Sequence, residues 1–317
     1  MIVTVTPNPT LDRVVFVRGF RLGAIVRGER ETLTPSGKGV DASLVLHALG
    51  LPTLATGLQA GRQGRLAVEL LTELGVPHEF VWADGETRHA LVLVDLEAGA
   101  QSTISVATLR ATQWHLAELA AMIERYLPQA RFVVLAGSLP NGWPVDAYRR
   151  LIGICRDSGV PTLLDTSGAA LAATLAADGG SLPDIVKVNA AELESLFPVD
   201  SQPRLPGERA ADLRLRSGCN AVVVTLGAAG AIAVTAEGAW RAIPPQVDVV
   251  NDAGAGDALA GCLAWARSVG QDWPAALRLG VAAAVAVVTT PGTAACDRAS
   301  VDRLMPLVRV EPGADSR

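Results

Sequence analysis

Short runs rich in Val, Ile and Leu alternate along this chain with longer segments whose apolar residues recur at helical spacing, and that rhythm restricts the fold more than any other feature. Repeated strand–helix–strand units build a mainly parallel sheet covered by helices. The strands are expected at Ile2 to Thr6, Thr53 to Gly57, Arg131 to Ala136, Thr162 to Asp165, Ile185 to Val188 and Ala221 to Leu226. Helices are expected at Val40 to Leu49, Arg62 to Leu74, Gln113 to Tyr126, Val145 to Ser158 and Gly207 to Ser217. With 317 residues, 50% of them hydrophobic, the chain can bury a large core, and no repeat, low-complexity run or Pro/Gly/Ser linker divides it. One α/β domain over residues 1–317 is the expected organisation.

Two regions break the rhythm. Residues 14–33 and 88–106 read as extended chain with no helix between strands, and "HALVLVDLE" alternates apolar with polar positions. Extended chain without crossover helices predicts an antiparallel flap standing off the main sheet, able to cover a site or to pair with a second copy of the chain through its edge.

The net charge of −5, with no Lys/Arg-rich block, argues against nucleic acid or an anionic membrane as partner. The N-terminal "MIVTVTPNPTLDR" reads as a first strand rather than a signal peptide. The longest apolar stretch, near Val281 to Val288, falls short of the ~20 residues that span a bilayer. A soluble, cytoplasmic protein is expected. The four cysteines and four histidines are dispersed, with no metal-ligand or disulfide spacing.

The strongest chemical signal is "NDAGAGDALAGCLAWA", Asn251 to Ala266. Gly254, Ala255 and Gly256 lead into an apolar helix, so unpaired amides of the first turn can approach an anion closely and the helix dipole favours negative charge there. Asp257 follows in that turn. It reads either as an acid complementing the dipole or as a carboxylate able to take a proton from a hydroxyl. The turn is neither of the familiar nucleotide loops: Lys38 is followed by Gly39, which breaks G-x-x-x-x-G-K-[ST], and G-x-G-x-x-G is absent. Basic positions carry 25 arginines and only two lysines, Lys38 in "SGKGVDAS" and Lys187 in "KVNAAELE". Taken alone, Asn189 reads as a helix N-cap with Glu192 as its capping-box partner, and Asp12 as a turn residue.

"TPNPTLDR", "SGKGVDAS", "LAGSLPNG", "KVNAAELE", "VVVTLGAAGA", "NDAGAGDALAG" and "VTTPGT", in that order from residue 1 to about 306, resemble the motifs of the ribokinase-like, PfkB-type carbohydrate kinases. "NPTLD", Thr87-Arg88 and "TTPGT" are similar to the phosphofructokinase, 1-phosphofructokinase and tagatose-6-phosphate kinase subgroup. The resemblance implies a three-layer α/β/α domain with a β-lid, transferring the γ-phosphoryl of ATP to a sugar hydroxyl with Mg2+. It assigns Asp257 as the catalytic base and Gly254, Ala255 and Gly256 as an anion hole, in keeping with phosphoryl transfer's dependence on positioning and electrostatics. Lys187, Asn189, Thr225 and Gly227 fall on the ATP side, and Glu192 on the metal, directly or through water. Asp12, Gly37, Lys38, Gly39, Asp41 and Ser138 fall on the sugar side. Lys38 and Arg88, with Arg27 as a third candidate, are the cations expected to grip a substrate phosphate.

The sequence departs from the family on that sugar side. The usual G-G-K-G-x-N becomes Ser36 to Asp41, exchanging an amide for a carboxylate, which only accepts when ionised. Ionised Asp41 is expected to face sugar hydroxyls. "QSTISVATLRAT" lacks the Asn and Pro-Gly pattern common after the Thr-Arg strand. A hexose phosphate, fructose 1-phosphate or fructose 6-phosphate, is the expected acceptor. The alternatives are an unphosphorylated sugar, polyol or nucleoside, or a catalytically idle sugar-binding regulator.

Overall fold

The computed structural model describes residues 1–313 apart from 107, 177–179 and 198–203, so the last four residues of the expected domain lie outside the described residues. The strands, in chain order, are β1 (Ile2–Thr6), β2 (Thr10–Val17), β3 (Arg30–Ser36), β4 (Thr53–Ala60), β5 (His78–Gly85), β6 (Arg88–Asp95), β7 (Ala100–Ser105), β8 (Leu109–Arg110), β9 (Phe132–Ala136), β10 (Thr162–Asp165), β11 (Ile185–Asn189), β12 (Ala221–Thr225), β13 (Ala231–Thr235), β14 (Ala239–Ile243) and β15 (Arg309–Pro312). The helices are α1 (Lys38–Ala48), α2 (Gly61–Glu73), α3 (Gln113–Tyr126), α4 (Ala147–Asp157), α5 (Gly168–Leu175), α6 (Ala190–Ser195), α7 (Pro206–Ser217), α8 (Ala255–Ser268), α9 (Trp273–Val288) and α10 (Arg298–Leu304). Each strand and helix expected from the sequence is present, with ends shifted by up to three residues.

The main sheet runs β15-β14-β13-β12-β11-β10-β9-β1-β4-β5-β8, and its centre from β12 to β5 is parallel throughout. Period-two alternation splits each central strand between two cores. Val133 and Leu135 of β9 pack with α3, α4 and α7 through Leu119, Leu151 and Leu213, whereas Phe132 and Val134 pack with α1, α8 and α9 through Leu46, Leu263 and Leu277. A sheet buried on both faces needs apolar residues in both registers, which is why these strands are continuous hydrophobic runs. Helices on both faces make the three-layer α/β/α arrangement. The antiparallel margin β13-β14-β15 was not foreseen, although Gly230 and Gly238, both at positive φ, punctuate it.

The second sheet runs β3-β2-β6-β7 and has its own small core of Val14, Phe16, Val92 and Val94. It corrects the expected antiparallel flap in one respect. β2 and β6 are parallel, with Thr10 opposite Arg88 and Asp12 opposite Ala90. β2 continues from β1 and β6 from β5, and because these main-sheet strands run the same way, their continuations leave side by side in the same direction. The first segment also begins at Thr10 rather than at residue 14, and 18–29 form the connection to β3.

Candidate functional site

A cleft of about 1010 Å³ opens at the carboxyl ends of β11 and β12 and beside the start of α8. Ligands collect at such edges because the loops that follow parallel strands diverge there and leave a crevice. Lys38, Lys187, Asn189, Thr225, Gly227, Gly256 and Asp257 all line it. One wall is apolar, from Val281, Ala284, Val285 and Val288 of α9, and it is faced by Pro244 to Val249.

The residue that organises the polar wall is Asp165, which the sequence reading treated only as a strand end. Its carboxylate is fully buried at the end of β10, with Lys38 Nζ at 2.5 Å from Oδ1 and Lys187 Nζ at 2.7 Å from Oδ2. Burial alone would raise the Asp165 pKa, but the two ammonium groups outweigh it and hold it below the ordinary carboxylate value. Desolvation likewise opposes the charge on Lys38, and Asp165 more than compensates, keeping Lys38 firmly protonated. Glu192, 3.6 Å from Lys38, and Asp257 set two further acids against these lysines, so the ammonium groups are local positive points on the cleft wall rather than a net positive charge.

Glu192 takes its expected place as the capping-box partner of Asn189. The Asn189 amide N–H donates to Glu192 Oε2 at 2.8 Å and the Glu192 N–H donates to Asn189 Oδ1 at 2.8 Å, a closed capping box at the start of α6. Its Oε1 remains 3.6 Å from Lys38 Nζ. No group of three or more His, Cys, Asp or Glu that could by itself hold a metal ion is found among the described residues.

Gly254 caps α8 in the left-handed region at φ 87°, with no side chain closing the helix end. A Cβ there would stand 2.7 Å from Ala294 N and Cβ, so only glycine fits. At Gly256 a Cβ would stand 2.7 Å from Lys187 Nζ, so the missing side chain is what lets the ammonium lie against the first turn. Ala255 N–H reaches Asp252 O only at 3.3 Å. Asp257 is pushed up to about pKa 6, chiefly by burial and then by the Asp165 charge, while Lys187, Lys38 and a hydrogen bond with Asp41 pull the other way.

A second polar group lies where the small sheet meets α1. Among the buried side-chain atoms without a hydrogen-bond partner are Thr10 Oγ1, Asp12 Oδ1, Asp41 Oδ1, Arg88 Nε and Thr293 Oγ1. Asp12 faces Arg88, Ser36, Thr10 and Thr293, and its pKa is raised by burial despite them. Buried polar atoms are normally paired, so this cluster is suited to a polyhydroxylated ligand. Asn8, which the sequence reading quoted but did not select, ties it together: its side-chain amide donates to Ser138 Oγ at 3.0 Å and its carbonyl accepts from Arg88 Nη2 at 3.3 Å.

The structure separates the cations read as one grip. Lys38 is engaged with Asp165 and Glu192, Arg88 with Asp12 and Asn8, and Arg27 is exposed on the connection between β2 and β3. Gly37 and Gly39 are also required by packing, since Cβ atoms there would stand 2.7 Å from Thr6 Cγ2 and 2.6 Å from Thr6 Oγ1. Asp41 is buried, and its pKa is pushed well above the usual carboxylate value by desolvation, then by Asp257 and Asp12, which weighs against the expectation that it is ionised.

A parallel α/β scaffold with an open, glycine-capped helix end at its cleft, a half-buried carboxyl in the first turn and two lysines on the wall is an arrangement suited to phosphoryl transfer. Residues 8–299 match the pfkB family of carbohydrate kinases, and the chain belongs to that family. Its fold is similar to phosphofructokinase-2 from Escherichia coli in complex with fructose-6-phosphate, at TM-score 0.84 and 25% identity over 96% of this chain and 98% of that one. It is also similar to a "possible 1-phosphofructokinase" from Thermotoga maritima, at TM-score 0.87 and 24% identity over 99% of both chains. Arabidopsis thaliana ribokinase complexed with ribose and ATP matches at TM-score 0.76 and 23% identity over 96% and 98%. The chain is therefore a phosphotransferase with an alcohol acceptor, a sugar kinase that uses ATP and Mg2+. No helix among the described residues is long and apolar enough to cross a membrane.

Proposed function

We propose that the acceptor is a hexose that already carries a phosphate, with fructose 6-phosphate and fructose 1-phosphate as the substrates that fit. The observation that carries this reading is Arg88, whose Nε is buried and unpartnered beside Asp12 at the small sheet. Asp12 already faces this half-buried guanidinium, and a phosphate would offer its free Nε a charge-assisted hydrogen bond that a neutral sugar does not. In this reading Asp12 and Asn8 orient the sugar, and the four-stranded sheet is a lid over it.

Asp257 takes the proton of the attacking hydroxyl, and the amides around Gly254, Ala255 and Gly256 stabilise charge on the transferring phosphoryl oxygens. Lys187 and Lys38, fixed by Asp165, hold the ATP phosphates, and Thr225 and Gly227 flank them. Glu192 is the residue that would hold Mg2+, directly or through water; the bound ion would neutralise phosphate charge. The apolar wall from α9 suits the flat, weakly polar face of a base.

Arg88→Met is expected to raise KM for the sugar phosphate by roughly tenfold to more than a hundredfold, the cost of a charge-assisted hydrogen bond, and to spare KM for ATP. Lys38→Met should do the reverse. The test is ADP release with fructose 6-phosphate, fructose 1-phosphate, tagatose 6-phosphate, fructose, ribose, inositol and adenosine. Preference for an unphosphorylated acceptor in the wild type would overturn the reading, as would an Arg88 variant with an unchanged KM. Because Asp257 must be ionised to accept the proton, kcat/KM should fall below about pH 6, approaching tenfold per pH unit, and a profile flat down to pH 5 would remove Asp257 from the role.

The lid also presents Leu22, Ile25 and Ile104 to solvent, with Ile25 fully exposed. We infer a homodimer paired through this surface. Ile25→Asp should shift the mass measured by light scattering from dimer to monomer.

A further inference from the structure

Asp41 and Asp257 each occupy the first turn of a helix, α1 and α8, and these two helices touch closely. A Cβ on Gly261, one turn past Asp257, would lie only 3.1 Å from Ala42 Cβ, so small residues bring the helices together and carry their two acids into hydrogen-bond contact. Asp41 is buried and Asp257 half-buried at the cleft wall, and two neighbouring carboxyls there resist holding two negative charges. Asp41 Oδ2 is already occupied, accepting from Ser36 Oγ at 3.0 Å, and its Oδ1 is buried with no donor to accept from. An unpaired carboxylate oxygen there is costly, whereas an O–H on that oxygen has Asp257 as an acceptor.

The charged groups around the pair decide which member carries the proton. Asp257 on α8 faces Lys187 of β11 and Lys38 of α1, with Asp165 of β10 behind them. Asp41 faces Asp257 and Asp12 of β2, both acidic, and the nearest guanidinium, Arg88 of β6, acts on Asp12. The negative charge therefore settles on Asp257 and the proton on Asp41.

We propose that Asp41 is a positioning residue that works as a neutral carboxylic acid, donating a hydrogen bond to Asp257 and holding it as an oriented, ionised base. This rests on Asp257 being the base of the proposed reaction. In the reaction the acceptor hydroxyl's proton passes to Asp257 while Asp41 keeps its own, so the pair gains one proton and releases it after transfer. Below its pKa Asp257 loses activity by protonation. At higher pH Asp41 ionises, two carboxylates then repel one another, and the orientation is lost. Burial and the acidic neighbours raise the Asp41 pKa, so this second loss comes at higher pH than the first.

The experiment pairs infrared difference spectroscopy with pH–rate profiles on wild type and Asp41→Asn. At neutral pH the free wild-type protein should show a carbonyl stretch of a protonated carboxylic acid that Asp41→Asn lacks; no such difference would overturn the proposal. With fructose 6-phosphate, the wild-type kcat/KM should fall on both sides, whereas Asp41→Asn, whose amide donates without titrating, should lose the alkaline limb and keep the acid limb in place. If Asp41 were ionised in the wild type, the substitution would remove a negative charge beside Asp257 and move the acid limb down by about one pH unit or more, which would also overturn it. Inactivity of the wild type on every acceptor would sink the functional reading instead, and the infrared difference would still decide the protonation of Asp41.

Discussion

Asp257→Asn is expected to lower kcat by roughly 10²- to 10⁴-fold while ATP affinity stays close to that of the wild type. The amide fits the same space at the start of α8 and cannot accept the proton of the attacking hydroxyl. Burial and the charge of Asp165 bring Asp257 to a pKa of about 6, near enough to neutrality for the carboxylate to be both ionised and basic. The measurement is steady-state turnover together with nucleotide titration on the same preparation. Turnover within a few-fold of wild type would show that the hydroxyl proton leaves by another route. Loss of ATP binding alongside turnover would mean that the residue shapes the helix end rather than acting as a base.

Asp165→Asn should be the most destabilising change at the site, by about 3–5 kcal/mol, because it strips two ammonium groups of their shared partner. Lys187 is only 4% exposed at the cleft wall, with its ammonium packed against Gly256, so it gains little hydration in place of the lost carboxylate. Lys38, whose side chain is about one third exposed, can relax toward solvent, so most of the loss belongs to Lys187. The pH dependence follows from the sign of the shift. Asp165 is held below its unfolded value, so its contribution is fully present above the ordinary aspartate range and disappears as pH falls through the depressed folded value. Urea unfolding of both proteins at neutral pH and in acid checks this: the stability gap should be wide at neutrality and narrow in acid. A gap below about 1 kcal/mol at neutrality would show that the lysines find other partners.

The parallel core was legible because each central strand is a continuous apolar run and each helix carries its own period, both signals a few residues long. The helix-end chemistry at Gly254 to Asp257 was legible for the same reason, since the glycines and the acid are neighbours in the chain. The Asn189–Glu192 capping box is equally local. The antiparallel margin was harder, because β13 and β14 are only five residues each and their Ala-rich sequences alternate weakly.

What the sequence could not show is convergence. Asp165 lies 127 residues from Lys38 and 22 from Lys187, and nothing local to "LLDTS" distinguishes it from any strand-ending acid. The order of strands in the sheet brings the three together. The parallel pairing of β2 with β6 set Arg88 opposite Thr10 and beside Asp12, away from Lys38, so two cations that looked like one grip became two. An isolated aspartate in water is ionised at neutral pH, and Asp41 was read that way. The packing of α1 on α8 buries it beside two other acids, which raises its pKa. The sequence by itself determined the α/β class and six strands of the main sheet and pointed to the helix end, because those rest on short-range periodicity and neighbouring residues. The tertiary structure alone decided which charges meet and which acids are buried, because burial and Coulomb interactions depend on distances in space that the chain order does not contain.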